Sequence, residues 1–155
     1  NLPDAASNTE KNENVVANEN LPALPANLDA AAQYDQAFGF LRLAKYKESE
    51  LAFKDFIKNN KGNSLLGNAY YWLGETYYIR EDYQQSAVNF LKGYQDYPKG
   101  NKAPDNLFKL AMSLKNMKKE KESCTTLKKM KSEFKSMEKD LLKMANKEIA
   151  TLKCR

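Results

Sequence analysis

The chain has 155 residues, 42% of them hydrophobic, which is enough for one domain with a buried core. It contains no histidine and two cysteines, so the commonest general base and metal ligand are missing, and two thiols alone cannot complete a structural zinc site. The sequence also lacks a Gly-rich phosphate loop, a nucleophile elbow and paired carboxylates at a known spacing. We therefore predict that the protein is not an enzyme and needs no metal or cofactor.

Charge is unevenly distributed along the chain. Residues 1–32 carry a net charge of −4, residues 33–98 are neutral, and residues 99–155 carry +9. Only three of the 25 basic residues are arginine, the usual residue for bidentate phosphate and base recognition, so we expect no nucleic-acid partner. A solvated basic surface is the main interpretation, and an acidic protein partner is the alternative. No run approaches the roughly 20 apolar residues of a membrane span, so we expect a protein that does not span the membrane.

The first 28 residues are predicted to be a disordered tether. They are rich in Asn and Ala, include Pro3, Pro22 and Pro25, and contain no aromatic residue. Such a segment buries too little apolar surface to offset the entropy lost on ordering. We expect helix to begin near residue 29, so that residues 29–155 form the folded domain.

An internal repeat of 37 residues organises the folded part. Loop-like breaks at residues 59–63 and 97–101 align with this shift, as do five columns of similar size and character. The columns are Tyr34, Tyr71 and Phe108; Phe40, Tyr77 and Leu114; Ala37, Gly74 and Ala111; Ser49, Ser86 and Ser123; and Phe53, Phe90 and Leu127. Helical repeats of this length predict a solenoid.

Each repeat divides into two predicted helices. The first helices lie near residues 29–43, 65–80 and 102–117, and the second near 46–59, 83–96 and 120–134, within repeats 29–62, 65–99 and 102–135. A capping helix at about 137–153 follows, with Leu141, Leu142, Ala145, Ile149 and Leu152 at helical spacing on one face. The predicted fold is all-α: a right-handed helical solenoid of three helix pairs and a C-terminal capping helix.

The middle repeat resembles the tetratricopeptide family. Its Leu73-Gly74, Tyr77, Ser86, Phe90 and Pro98 stand at that family's spacing, although Tyr70 replaces the favoured Trp and the 37-residue period exceeds the usual 34. The resemblance implies a concave groove, lined by the first helices, that binds peptides or helices. The predicted groove residues are Tyr34, Phe38, Asn68, Tyr71, Glu75, Tyr78, Asp105, Phe108 and Met112.

Two alternatives qualify this groove prediction. The aromatic residues could instead pack neighbouring helices, which is the interpretation we favour for Trp72. Some tetratricopeptide proteins hold a peptide C-terminus with Lys and Asn, but Glu75 and Asp105 would repel a carboxylate here.

A closer resemblance, over about residues 33–155, is to the periplasmic Tol-Pal-associated cell division coordinators (the YbgF or CpoB family). It is carried by the runs 52–57, 68–75, 94–99 and 102–105. It implies a periplasmic adaptor that binds the Tol component TolA and a bifunctional penicillin-binding protein, linking envelope constriction to septal wall synthesis. This chain lacks the family's N-terminal coiled coil. The resemblance implies that the intact protein could oligomerise through that segment. The alternative is another periplasmic scaffold, such as an outer-membrane assembly lipoprotein of the BamD kind.

The two cysteines, Cys124 and Cys154, are predicted to form a disulfide, the alternative being two unrelated thiols. The bond would tie the capping helix to the third repeat and stabilise the fold by roughly 3–4 kcal/mol in the chain-entropy model. A simple helical hairpin turning near Lys135 would leave the sulfurs about two turns apart. The capping helix must therefore end early or cross at an angle.

Overall fold

The computed structural model of the protein describes residues 28–155, so the tether predicted over residues 1–28 lies almost wholly outside the described residues. The described part consists of helices and their connections, without strands. Its seven helices are α1 (Ala30–Arg42), α2 (Tyr46–Asn59), α3 (Leu66–Ile79), α4 (Tyr83–Asp96), α5 (Ala103–Asn116), α6 (Glu120–Glu133) and α7 (Lys139–Thr151). Every predicted helix is present, with ends within about two residues of the predicted ones. The all-α prediction of three helix pairs and a capping helix is confirmed.

The turns inside the three helix pairs share one backbone conformation. Ala44, Glu81 and Lys118, which stand 37 residues apart, all have a positive φ, of 57°, 64° and 63°. In each turn this residue's N–H bonds the carbonyl three residues back, and the next N–H bonds the carbonyl five back. This arrangement satisfies carbonyls that a helix end leaves free, and it reverses the chain within three residues.

The same left-handed turn ends α7. Lys153 has φ 51°, its N–H bonds the Ala150 carbonyl, and the N–H of Cys154 bonds the Ile149 carbonyl. Helix α7 therefore terminates like α1, α3 and α5, and it packs beside α5 as α5 packs beside α3. Helix α7 therefore has the position that the first helix of a fourth repeat would have, and no second helix pairs with it in the described residues.

The small-residue columns bring the paired helices close together. Ser49 Oγ donates to the Ala37 carbonyl at 2.9 Å, and Ser123 Oγ donates to the Ala111 carbonyl at 2.8 Å. In the middle repeat Gly74 takes the place of the alanine, and a Cβ there would lie 2.7 Å from the Phe90 ring. The middle repeat therefore keeps the close approach of its two helices, but there the Phe90 ring takes the space that the alanine methyl group fills in the outer repeats.

The core forms two clusters along the solenoid. Phe53, Phe56 and Leu73 belong to the first, and Phe90, Leu127 and Met130 to the second. Each cluster is filled by large side chains between successive pairs, as the repeat columns predicted.

Candidate partner-binding surface

The odd-numbered helices lie side by side. α1 contacts α3, α3 contacts α5, and α5 contacts α7, while the even-numbered helices pack on their other side. We call the side formed by α1, α3, α5 and α7 the inner face. The predicted groove residues all belong to these helices, so the inner face is the surface to examine.

An aromatic strip crosses the inner face between α1 and α3. The ring centroids of Phe38 and Trp72 are 4.9 Å apart, and those of Trp72 and Tyr71 are 4.8 Å apart, edge to face. All three side chains are half-buried. We call Phe38, Tyr71 and Trp72 the aromatic strip; it offers rigid apolar contact area that is already ordered before any partner binds.

Cationic side chains lie over the aromatic strip. The guanidinium of Arg42 is 5.3 Å from the Phe38 ring, and the Lys102 ammonium is 4.9 Å from the Tyr71 ring and 5.5 Å from the Trp72 ring. Lys102 forms only a loose ion pair, because its Nζ atom is 3.9 Å from Asp105 Oδ1. The strip therefore combines apolar area with positive charge. Neither cation is visible in the sequence pattern, because a cation–π contact between helices leaves no periodic signal.

Tyr34 and Asn68 stand at the start of the inner face. The Tyr34 ring packs edge-on against Phe53 and Phe56, with centroids 5.8 and 5.7 Å away. Burial raises the pKa of the Tyr34 hydroxyl, and the neighbouring Trp72 and Asn68 side chains oppose this change. Tyr34 thus belongs mainly to the core, with its hydroxyl end toward α3.

Glu75 and Tyr78 lie in the middle of the inner face beneath a lysine. Lys109 Nζ is 2.8 Å from Glu75 Oε1 and 3.7 Å from the Tyr78 ring centroid. The ammonium approaches outside the directions of a good hydrogen bond, so Glu75 Oε1 is buried without a hydrogen-bond partner and the contact is a charge pair. The Asn116 amide donates to the Tyr78 hydroxyl at 3.0 Å, and burial raises that hydroxyl's pKa. The charge of Glu75 is therefore balanced within the chain.

Phe108 and Met112 correct the groove prediction. They are 5% and 8% exposed and belong to the second core cluster, so they lie beneath the inner face and do not line it. They share this cluster with Phe90 and Leu127, and Ile149 and Leu152 of α7 pack against the same cluster. Asp105, one turn before Phe108, is half-buried, and burial raises its carboxyl pKa while Lys102 opposes this.

The structure joins Cys124 and Cys154 by a disulfide, with Cα atoms 5.5 Å apart. α7 ends at Thr151, and the left-handed turn at Lys153 redirects the chain so that Cys154 reaches α6. A second link ties α7 to α5, since Lys115 Nζ is 2.5 Å from Glu148 Oε2. Helix α7 ends within about two residues of its predicted end, and the turn that follows brings Cys154 to Cys124.

Neither a membrane helix nor a metal cluster occurs in residues 28–155. None of the helices there is long and apolar enough to cross a bilayer. No three acidic or cysteine side chains in this range converge as a metal site would require.

The helix order, the paired packing and the inner face together define a tetratricopeptide-type helical-repeat fold. The solved N-terminal domain of stress-induced protein-1 (STI-1) from C. elegans has this fold in common with the chain: the TM-score is 0.65 at 10% sequence identity, over 77% of this chain and 93% of that one. At this identity the similarity shows the fold alone. No protein-family model and no curated protein matches the chain.

Proposed function

We propose that this protein is an interaction adaptor that binds a segment of a partner protein across α1 and α3. The observation that carries the proposal is the aromatic strip with Arg42 and Lys102 above it. Aromatic and arginine side chains dominate the binding energy of protein interfaces because they bury large area at modest entropic cost. A matching partner segment carries apolar side chains next to a carboxylate.

The inner face favours a protein segment over a small molecule. The aromatic strip lies on α1 and α3, and the Glu75–Lys109 pair joins α3 to α5, so the two continue each other along the solenoid. An extended surface of this kind suits a peptide or a helix, as repeat solenoids use it.

For the biological setting we propose a periplasmic adaptor of the cell division coordinator type. Its partners would be a TolA-like Tol component and a bifunctional penicillin-binding protein. The support is the sequence resemblance over residues 33–155, together with the disulfide, which persists in oxidising compartments such as the periplasm. Cell fractionation tests the location: the protein should be released with the periplasmic contents, without free thiols when denatured unreduced.

The binding proposal is tested with Tyr71→Ala, measured against the purified TolA-like component and penicillin-binding protein by calorimetry. Removing a central aromatic should weaken binding by about 1–3 kcal/mol, a factor of roughly 5 to 150. Tyr70→Ala is the matched control, since Tyr70 is a half-buried tyrosine of the same helix that stacks on Tyr97 outside the aromatic strip.

A charge variant separates binding from folding. Lys102→Glu leaves the rings in place but reverses the charge above them, so it should also weaken binding while helicity and melting temperature are kept. Equal loss in Tyr70→Ala and Tyr71→Ala, or no loss in Lys102→Glu, would contradict this location of the site.

A further inference from the structure

A cleft lies beside the Cys124–Cys154 disulfide, at the C-terminal end of the solenoid. Its volume is about 420 Å³, within the range of roughly 300–1,000 Å³ that ligand pockets occupy. Both cysteines line the cleft, and both are only half-buried. A small molecule that enters the cleft is therefore placed next to the disulfide.

Basic residues flank both cysteines along the sequence. On α6 they stand three positions before and four positions after Cys124, so helical spacing places them on the side of the helix that carries this cysteine. Beyond α7 they stand directly before and after Cys154. All four line the cleft, where Glu120 is the one acidic residue among the described residues. We call these four the cleft cations: Lys121, Lys128, Lys153 and Arg155.

The chain does not neutralise the cleft cations with its own carboxylates. Within residues 28–155 none of the four lies within 4 Å of an acidic group, whereas Lys129 of the same α6 pairs with Glu133 at 2.6 Å. Lys128 donates a hydrogen bond to the Arg155 carbonyl, so its ammonium keeps its charge and its other N–H groups. The cleft therefore presents positive charge that a bound anion can balance.

A second cleft shows that this excess of charge is not general in the lysine-rich third of the chain. It also has a volume of about 420 Å³ and lies beside the end of α6, where Lys99 and Lys135 stand with Glu133. Its charges are therefore nearly balanced. The excess of positive charge is a property of the cleft that holds the disulfide.

We propose that this cleft is a site where a small thiol that carries a carboxylate or a sulfonate exchanges with the Cys124–Cys154 disulfide. The cleft cations bind the acidic group and hold the thiolate beside the bonded sulfurs. The thiolate forms a new S–S bond with one cysteine, and the other cysteine leaves as a thiolate, whose charge the same cations stabilise. A second thiolate then attacks this mixed disulfide. Two small thiols thus become one small disulfide, and their two electrons reduce both cysteines.

The exchange changes how α7 is attached. The disulfide cross-links the end of this helix to α6, and without it α7 is held by non-covalent contacts, among them the Lys115–Glu148 ion pair. The proposal is independent of partner binding at the aromatic strip, because the cleft residues belong to α6 and to the chain after α7, whereas the strip belongs to α1 and α3.

Two small thiols with the same two-carbon chain test the site. 2-Mercaptoethanesulfonate carries a sulfonate, and 2-mercaptoethanol carries a neutral hydroxyl. The rate at which each one reduces the disulfide of the purified protein is measured by acid quenching, alkylation and mass spectrometry. Each rate is divided by the concentration of thiolate, the reacting form. The ratio of the two rates then measures the effect of the sulfonate.

The sulfonate thiol should react roughly three- to ten-fold faster at about 10 mM ionic strength, the attraction expected in water from a net charge of about +3 at roughly 8 Å. At about 0.2 M ionic strength the ratio should fall to about two, because the charges are then screened. Lys121→Gln/Lys128→Gln should lower the ratio at low ionic strength to about two. The control, Lys139→Gln/Lys143→Gln, removes the same charge from α7 outside the cleft and should change the ratio far less. All four lysines are exposed, so both variants should keep the wild-type melting temperature.

Three outcomes would overturn the proposal. Equal rates for the two thiols at low ionic strength would mean that the cleft does not select an acidic group. Equal losses in the two lysine variants would mean that the selection comes from the overall charge of the protein. A reduction rate that does not depend on thiol concentration would mean that the disulfide reacts only after the chain opens. Partner binding at the aromatic strip is decided separately, by the Tyr71→Ala experiment.

Discussion

Glu50 provides the sharpest test of how the repeats are held together. This α2 residue is only 4% exposed, yet its carboxylate is ionised. It accepts hydrogen bonds from Lys54 and Arg80, both at 2.6 Å, and from the Tyr77 hydroxyl at 3.0 Å. Because Tyr77 lies in α3 and Arg80 directly follows that helix, the network joins the first repeat to the second.

The magnitude follows from the carboxyl pKa. Burial alone would raise the pKa of Glu50, but the hydrogen bonds from Lys54, Arg80 and Tyr77 outweigh burial and lower it from 4.5 to about 2. At about 1.4 kcal/mol per pH unit, the difference corresponds to about 3 kcal/mol of unfolding free energy. Because the folded-state pKa lies below the ordinary value, this contribution is complete above pH 4.5 and is lost as the pH falls toward 2.

The perturbation is Glu50→Gln, and the assay is urea unfolding followed by circular dichroism between about pH 7 and pH 2.5. The wild-type protein should lose about 2.5 kcal/mol more than the variant over this range, because the variant has no proton to gain at position 50. Glu48→Gln is the control, since Glu48 lies on the same helix outside the network and should leave the pH dependence intact.

Parallel pH profiles for wild type and Glu50→Gln would contradict a stabilising role of the ionised Glu50 carboxylate. The loss of stability in acid would then come from other carboxyl groups, and the Glu50 network would be a surface-like ion pair of little value.

Two further outcomes are expected. Gly74→Ala should destabilise the fold by roughly 1–3 kcal/mol, because the new Cβ would overlap the Phe90 ring. Gly39→Ala, with nothing within 4 Å of its Cβ, should instead stabilise the fold by about 0.5–1 kcal/mol. Equal effects of the two variants in thermal melts would contradict the close approach of the helices at Gly74. Reduction of the disulfide should speed amide hydrogen exchange in residues 136–155 first and leave residues 30–100 nearly unchanged, because solenoid units interact mainly with their neighbours; uniform loss of protection would count against a modular solenoid.

The helices and their order can be predicted from the sequence alone. Helical periodicity, the loop residues at 59–63 and 97–101, and the recurring small and large positions are local or repeating signals, so they can be read without coordinates. The fold class follows from them because each helix pair must bury one face against the next pair. Partner binding by the groove stays a prediction.

The contacts between side chains of different helices become visible only in the three-dimensional packing. The sequence placed Phe108 and Met112 in the same columns as half-buried groove residues, but the packing of the second core cluster buries them. It also gave no sign of the left-handed turns at Ala44, Glu81 and Lys118, since glycine, the usual residue there, is absent.

The ion pairs and cation–π contacts also depend on how neighbouring helices pack. Lys102 above the aromatic strip and Arg80 on Glu50 depend on how far long side chains reach from one helix to the next. Helical periodicity fixes the face from which a side chain starts, whereas the angle and offset between neighbouring helices fix what it touches.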